Sequence, residues 1–467
     1  MAAAYDGPQG LQAAAVGLGE LWQRCDRDSR GFSENIMSDI VASNQTILVV
    51  GGGIGGMTAA LEAAECGKDV ILVERLPSVG GRTSQLYKYF PKLCFPTCGL
   101  EINLQRAKAA QNQGRLQLLT LSEVIQVTGE AGQYAVTVRR HPRHVNANCT
   151  ACGDCAKAVA AQFDDEYNYG FMGAKRKGAY LPHRMAYPQR YVIDPRIIGT
   201  ADALKAAEAC RYDAVELTQQ AEDVVIHVGA IIWATGWRPY DAGKIQPYGY
   251  DRFANVITSV EFERMADPQG PTAGRIVRPS DGKAAKRVAF VQCAGSRDHN
   301  HLRHCSRICC MASLKEATFV TDAYGDEAQI TIYYIDIRAI DRFEDFYAKV
   351  KALPQVRFVK SKVANIIEDQ DGDPVCRGVD TEGYHRYETA HDLVVLAIGM
   401  QPSVPIADLP VDVVANADGF IQLDPDNGGV FAAGVASEAL DVNRAVQNAT
   451  ASALRAIQVV NRAAGAV

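Results

Sequence analysis

The sequence predicts an α/β protein of two doubly wound, dinucleotide-binding domains with a small cysteine-bearing insertion, and three observations carry that expectation. A β-branched run, Thr46 to Val50, feeds Gly51-Gly52-Gly53-Ile54-Gly55-Gly56, a helical MTAALEAAECG and a second strand ending at Glu74. A second strand-turn-helix opens at Val288, but Cys293, Cys305, Cys309 and Cys310 stand where the later glycines of such a turn belong. Between the two lies C-x-x-C-x-x-C, at Cys149, Cys152 and Cys155, with Cys210 further on.

At 467 residues the chain exceeds what one hydrophobic core normally serves, so two or three domains are expected. Composition is that of an ordinary globular protein, 48% hydrophobic and 22% charged, and a net charge of -6 gives no reason to expect nucleic acid. No apolar run reaches the roughly 18 residues of a membrane span, so membrane association is expected only through a partner. Thirteen cysteines follow metal-ligand spacings rather than a disulfide framework, which predicts a reducing, cytoplasmic setting. Residues 1–44 read as a disordered extension without a secretory pattern, and Met37 looks like a natural start.

In the first unit Gly51 makes the tight turn, Gly53 lets a pyrophosphate approach, with Ile54 and Gly55 beside it, and Gly56 lets helix and strand pack. Glu74, followed by Arg75, stands where a carboxylate accepts from ribose hydroxyls. Gly81 and Arg82 follow the second strand, a pairing that favours FAD over NAD. AIIWATGWRPY, holding Ala234, Thr235 and Gly236, and VVLAIGMQP are strands ending in small-residue turns, read as the crossings between the two domains. The closing segment supplies a strand, Gly434 and a long alanine-rich helix whose N-terminus can face a flavin. Val435 stands where an acid is usual, so the ribityl contact is expected from Asp441 or the main chain. Asn443 and Gln447 share a helical face and are candidate flavin contacts.

Four thiolates are the ligand count of a cubane iron-sulfur cluster, and Cys293, Cys305, Cys309 and Cys310 supply four within eighteen residues. A zinc site and buried free thiols are the competing readings. The insertion, His144 to Leu217, reads as a ferredoxin with one half removed. Its first run has Val159 in the fourth position, and counting back from Cys210 gives Ala206, Ala203 and Thr200, so one ligand set survives whole: Cys149, Cys152, Cys155 and Cys210. The tract Tyr180-Leu181-Pro182-His183 reads as an ordered loop near the cofactor. Cys94 and Cys98 form a C-x-x-x-C pair, expected in a loop because of Pro96, with a redox or ligand role. Cys25, Cys66 and Cys376 read as structural.

The expected organisation is a first FAD-binding part at 45–143, the insertion at 144–217, a second FAD part at 218–284, an NAD-domain-like, iron-sulfur-binding unit at 285–392 and a C-terminal FAD part at 393–467.

YFPKLC..TCGLEIN, CTACGDC, KRKGAYLPH, ATGWRPYD and, most specifically, FVQCAGSRD...HCSRICCMASLK together resemble the A-type subunits of heterodisulfide reductases. The likeness runs from Thr46 to Ile457 and is nearest to the branch found in quinone-interacting membrane-bound oxidoreductases of sulfur metabolism. It implies a thioredoxin-reductase-like FAD fold and a 4Fe-4S cluster at Cys293, Cys305, Cys309 and Cys310, in addition to the one in the insertion. It also implies a complex with other iron-sulfur and membrane subunits, adenylylsulfate reductase as redox partner, a homodimer, and a place on the inner membrane face through a partner. The rivals are an NAD(P)H-dependent disulfide reductase using Cys94 and Cys98, an electron-bifurcating flavoprotein, and a scaffold with degenerate sites.

Overall fold

Two five-stranded parallel sheets organise the chain in a computed structural model that describes residues 42–422 and 428–465. The expectations for residues 1–41, Cys25 and Met37 among them, lie outside the described residues. The first sheet runs in the order Val430–Ala432, Ala230–Trp233, Ile47–Val50, Val70–Glu74, Leu116–Thr120. Its central strands are apolar at every position, as a sheet covered on both faces requires. The helices Ile54–Glu65 and Val442–Ala463 pack together through alanines, with Ala59, Ala60 and Ala63 in one core with Ala449, Ala453 and Ala456. That small-residue seam is why the alanine-rich tail forms a buried helix.

The second sheet runs Val256–Thr258, Leu393–Ile398, Arg287–Ala294, Gln329–Tyr334, Val356–Lys360. The helices Ser259–Ala266 and Cys309–Tyr324 pack into its core through Phe262, Met265, Met311 and Leu314. This corrects two expected boundaries. The sequence puts the strands at 256–258 and 393–398 in the FAD domain, yet both pair inside the second sheet. The crossing itself falls within the two stretches expected for it, as a short antiparallel pair, Trp237–Pro239 with Met400–Pro402. A fully apolar strand such as LVVLAI fits either sheet, so its pattern alone does not assign it.

The insertion is closed by a bridge between Val145 and Val215 and has its own small core of Val145, Val159, Ile193, Ile197, Ala203 and Ala206. Two helices, Asp154–Ala158 and Ala201–Glu208, and two small antiparallel pairs make it up. Among the described residues no helix is long and apolar enough to cross a membrane.

Candidate active site at the junction of two sheets and an insertion

A cavity of about 910 Å³ opens where the C-terminal ends of the two sheets meet, and the insertion walls its third side. The first sheet contributes Gly51, Gly53, Ile54, Gly55, Glu74, Arg75, Gly81, Arg82, Ala234, Thr235 and Gly236. Gly51 has φ +110°, and a Cβ there would lie 2.3 Å from Ala234 O. Gly56 sits behind the turn, where a Cβ would fall 1.7 Å from Gly51 O, so its space is taken by packing. Gly53 differs: a Cβ on it would meet nothing closer than Gly81 Cα at 3.9 Å. Its open face looks onto the cavity at the start of the Ile54 helix, whose first turn has neither a side-chain cap nor an acid. Unsatisfied N–H groups and the helix dipole there suit a phosphate.

Glu74 is nearly buried, and its carboxylate accepts from Gly52 N at 2.5 Å and Leu76 N at 2.7 Å. Burial raises its pKa, against those two hydrogen bonds. The side chain therefore rigidifies the glycine turn while still lining the cavity. Trp233 adds a buried indole Nε1 with no hydrogen-bond partner, an orphan donor on a residue of the cavity wall. A glycine cradle, an uncapped helix start and an orphan donor fit a bound dinucleotide.

Arg82 locks the insertion to this site. Its Nε donates to Trp237 O at 2.6 Å and its Nη1 to Tyr169 Oη at 3.1 Å, with the guanidinium over both rings. From the insertion, Tyr167, Tyr169, Tyr180 and His183 reach the cavity. His183 stacks on Tyr167 at 5.2 Å and shares a 3.2 Å hydrogen bond with Ser78 Oγ; burial lowers its pKa to about 4.

The second sheet presents thiols. The strand Arg287–Ala294 breaks register between Val291 and Ala294, and within that break Cys293 adopts φ 55°. A left-handed non-glycine residue in a bulge is a local cost that packing must override. Cys309 and Cys310 open the next helix, Cys309 Sγ donating to Ile398 O at 3.6 Å and Cys310 Sγ to Asp336 O at 3.7 Å. Cys309 is itself part of the cavity wall. Burial pushes its thiol well above the usual range, and the neighbouring Cys310, Cys293 and Cys305 add to the shift. In the insertion, burial and then Cys149 push Cys155 up to about 11, with smaller effects from Cys152 and Cys210. Each set is thus a neighbourhood of free, mutually repelling thiols. Among the described residues no three His, Cys, Asp or Glu side chains are drawn together as around a metal ion. Each neighbourhood offers four sulfurs, the donor set of a cluster with four thiolate ligands, with Asp336 beside one set and Asp154 beside the other.

Residues 46–164 match the family "FAD dependent oxidoreductase". Three curated relatives extend the match, each an A-type iron-sulfur or ferredoxin-linked component of a CoB–CoM heterodisulfide reductase. The one from Methanopyrus kandleri, the second of its kind there, is 36% identical over 88% of this chain and 63% of its own length. The one from the H2:CoB-CoM heterodisulfide,ferredoxin reductase of Methanothermobacter marburgensis is 35% identical over 91% and 65%. The iron-sulfur component from Methanocaldococcus jannaschii is 36% identical over 90% and 65%. Over about nine-tenths of its length the chain is similar to heterodisulfide reductase A-type subunits. It spans under two thirds of these relatives' own length. The thioredoxin reductase of T. acidophilum aligns over 89% of this chain and 98% of its own at 14% identity, with a TM-score of 0.47. The chain has an α/β fold whose residues 46–164 are similar to FAD dependent oxidoreductases.

Two expected contacts lie elsewhere. Asn443 and Gln447 do share a helical face, but they line a separate cavity of about 390 Å³ with Arg307, Asp341, Glu438 and Arg444. The residues of that helix start that line the main cavity are Asp441, Val442 and Ala445. Polarity alone does not decide which of two helical faces turns inward. Asp441 accepts from Arg444 N at 3.1 Å as the helix cap, and Gly434 N donates to Asn448 Oδ1 at 2.8 Å. Val435 lines the cavity and packs in a cluster with Met400, Phe420 and Ala439. Cys94 and Cys98 are both exposed and outside the cavity wall. Pro96 is the first residue of the helix Pro96–Asn112, which puts Cys98 in its first turn rather than in a loop. Proline is well placed at N1, where its missing N–H has no partner to lose.

Sequence reasoning misses Glu263, Lys315 and Glu316, all in the cavity wall and each at most 3% exposed. Lys315 Nζ pairs with Glu263 and donates to Lys88 O at 2.9 Å, while Glu263 Oε2 accepts from Tyr87 N at 2.8 Å. A signal is nonetheless present. Lys315 and Glu316 follow Cys309 and Ala312 on the helix at spacings that return to one face, and a helix whose buried face carries charge marks a site.

Proposed function

We propose that this chain is the FAD and iron-sulfur electron-transfer component of a heterodisulfide-reductase-like complex, of the quinone-interacting membrane-bound type. The observation that carries the reading is Cys309, one side chain that belongs both to a four-thiol neighbourhood and to the wall of the cavity that fits a dinucleotide. Donor and acceptor groups held on a shared wall need no intervening carrier. A bound flavin exchanges electrons in pairs and a cluster exchanges them singly, and that chemistry belongs to the cofactors.

The chain's own part is placement. Gly51, Gly53, Gly55, Gly81 and Glu74 would hold the dinucleotide, with Ala234 to Gly236, Gly434 and Val435 along its far wall. Cys293, Cys305, Cys309 and Cys310 would hold one 4Fe-4S cluster, and Cys149, Cys152, Cys155 and Cys210 a second in a ferredoxin-like insertion. Arg82, through Tyr169, fixes the insertion against the cavity. The partners would be iron-sulfur and membrane subunits linking a quinone pool to a sulfur-metabolism enzyme of the adenylylsulfate reductase type, with the chain a homodimer within the complex.

The disulfide reductase reading is less well supported. Cys94 and Cys98 sit outside the cavity wall, and Asp336, just after the strand Gln329–Tyr334 where a nucleotide-binding unit would carry a ribose-reading acid, is ion-paired with Arg297 and Arg338. Anaerobic purification followed by flavin and metal analysis tests the proposal. One FAD and roughly eight irons per chain are expected, two cubanes of four. Zinc in place of iron, or rapid bleaching of the flavin by NADH or NADPH alone, would overturn it.

A further inference from the structure

The cavity wall contains a buried carboxyl that the relay does not use. Glu316 is 1% exposed, lies in the cavity wall, and its Oε2 has no hydrogen-bond partner. The other groups facing it are few. From the helix Ser259–Ala266 comes Glu263, whose carboxyl is within hydrogen-bonding reach; from its own helix come Lys315 and, two turns back, Cys309. The segment before Cys94 presents only main-chain groups to this cluster, Tyr87 N and Lys88 O. The insertion brings Tyr169, beside Glu263.

Two carboxyls and one ammonium out of water cannot all carry charge cheaply. Lys315 offsets one negative charge, and it is ion-paired to Glu263. An unpaired second carboxylate in such a place costs several kcal/mol, a cost avoided by keeping a proton. Burial, then the charge of Glu263, holds Glu316 well above the usual carboxyl range, with Lys315 opposing. The result is a neutral acid aimed at the cavity, separated from solvent, with a neighbour able to share its proton.

We propose that Glu316, backed by Glu263 and Lys315, is a proton store for the cofactor cavity: it releases a proton when a bound flavin is reduced and takes one back on reoxidation. This rests on the functional reading above. The balance closes as follows. Two-electron reduction of an oxidised flavin near neutral pH takes up one proton; the electrons come from a one-electron iron-sulfur carrier acting twice, and the proton leaves the Glu316 O–H, converting acid to carboxylate. Lys315 then faces two carboxylates until reoxidation of the flavin gives the proton back to Glu316 and restores the charge.

The test is reduced-minus-oxidised infrared difference spectroscopy on the full chain as purified, with dithionite as reductant and flavin content measured beforehand. A carboxylic acid C=O band should disappear on reduction, shift in D2O, and be missing from Glu316→Gln. Glu316→Asp, which retains an acid, should keep a displaced band. A flavin-loaded wild-type chain without the band overturns the proposal even where Glu316→Gln fails to fold, and so does a band that survives in folded Glu316→Gln. A chain that binds no flavin instead overturns the functional reading on which it rests.

Discussion

After the strand Ile47–Val50 three glycines carry the chain straight into a helix, whereas after Arg287–Ala294 the residues 295–308 intervene before the helix at Cys309. The two units share strand order logic, helix placement and a parallel sheet, yet the turns present different chemistry. In the first, an open backbone and uncapped N–H groups face the cavity, which is what an anionic pyrophosphate needs. In the second, side-chain sulfur faces it, and the loop is long enough to return cysteines from both its ends. That longer turn is held in costly conformations: Cys293, Arg297 and Arg307 all have positive φ. Residues other than glycine in that region cost on the order of 1 kcal/mol or more each. On the reading proposed above, cluster binding would offset that cost.

The largest effect should come from separating the two turns. Cys293→Ser with Cys309→Ser is expected to lose about half the iron while keeping stoichiometric FAD, since a four-iron cluster would go and the glycine cradle would remain. Loss of flavin together with iron would mean that the turns are one site, and unchanged iron that these sulfurs hold none.

A pair of glycine variants sharpens the first turn. Gly56→Ala puts a methyl 1.7 Å from Gly51 O, an overlap with backbone that no rotamer relieves. It is expected to cost roughly 3 kcal/mol or more and to be read as a large fall in melting temperature with no flavin. Gly53 has a φ of -72° and open space, so Gly53→Ala should fold as the parent does. Its flavin affinity should nevertheless fall by about tenfold or more, roughly 1.4 kcal/mol, by filling the approach to the helix start. A Gly53→Ala protein that binds flavin normally would move the pyrophosphate elsewhere.

Much of this is legible in the sequence because both units announce themselves locally: glycine spacing marks one turn and cysteine spacing the other. What is not legible depends on facing and pairing. The strand Leu393–Ile398 is wholly apolar, so only its register partners, Val256 to Thr258 and Val288 to Val291, assign it to the second sheet. Asn443 falls on the other side of its helix from the one expected, because the face turned to the cavity carries Val442 and Ala445, which polarity does not mark. Glu263 and Lys315 lie 52 positions apart in sequence, and an ion pair between helices leaves no local pattern.

The insertion and the second sheet differ in a further respect. Arg143 lies close to Cys149; it donates to Pro77 O at 2.5 Å and Thr120 Oγ1 at 2.7 Å, and burial, followed by Arg190, lowers its pKa to about 10. A half-buried cation bound only to neutral oxygens suits a neighbouring negative cluster. Arg143→Met should lower the reduction potential of the insertion's cluster by on the order of 50 mV, leaving that of the Cys293 set unchanged. Equal shifts in both, measured by redox titration under electron paramagnetic resonance, would deny it a local role.

The last effect concerns the second sheet. His391 is buried, shares a 3.1 Å hydrogen bond with Tyr333 Oη, and has its pKa lowered from 6.5 to about 4, by burial first and then by Arg287. Its neutral form is therefore the folded form. As pH falls below 6.5 the unfolded chain takes up a proton that the folded chain refuses, so stability declines until about pH 4, where the folded imidazole also protonates. The slope from this one group approaches about 1.4 kcal/mol per pH unit. His391→Gln can keep the contact to Tyr333 without titrating, so its urea midpoint should fall less steeply between pH 6.5 and 4 than the parent's. His183, buried against the cavity, has the same shift, so the parent's slope has at least two sources and His391→Gln should remove only one of them. Parallel midpoint curves for variant and parent would show that the second sheet opens to let this histidine protonate before the chain unfolds.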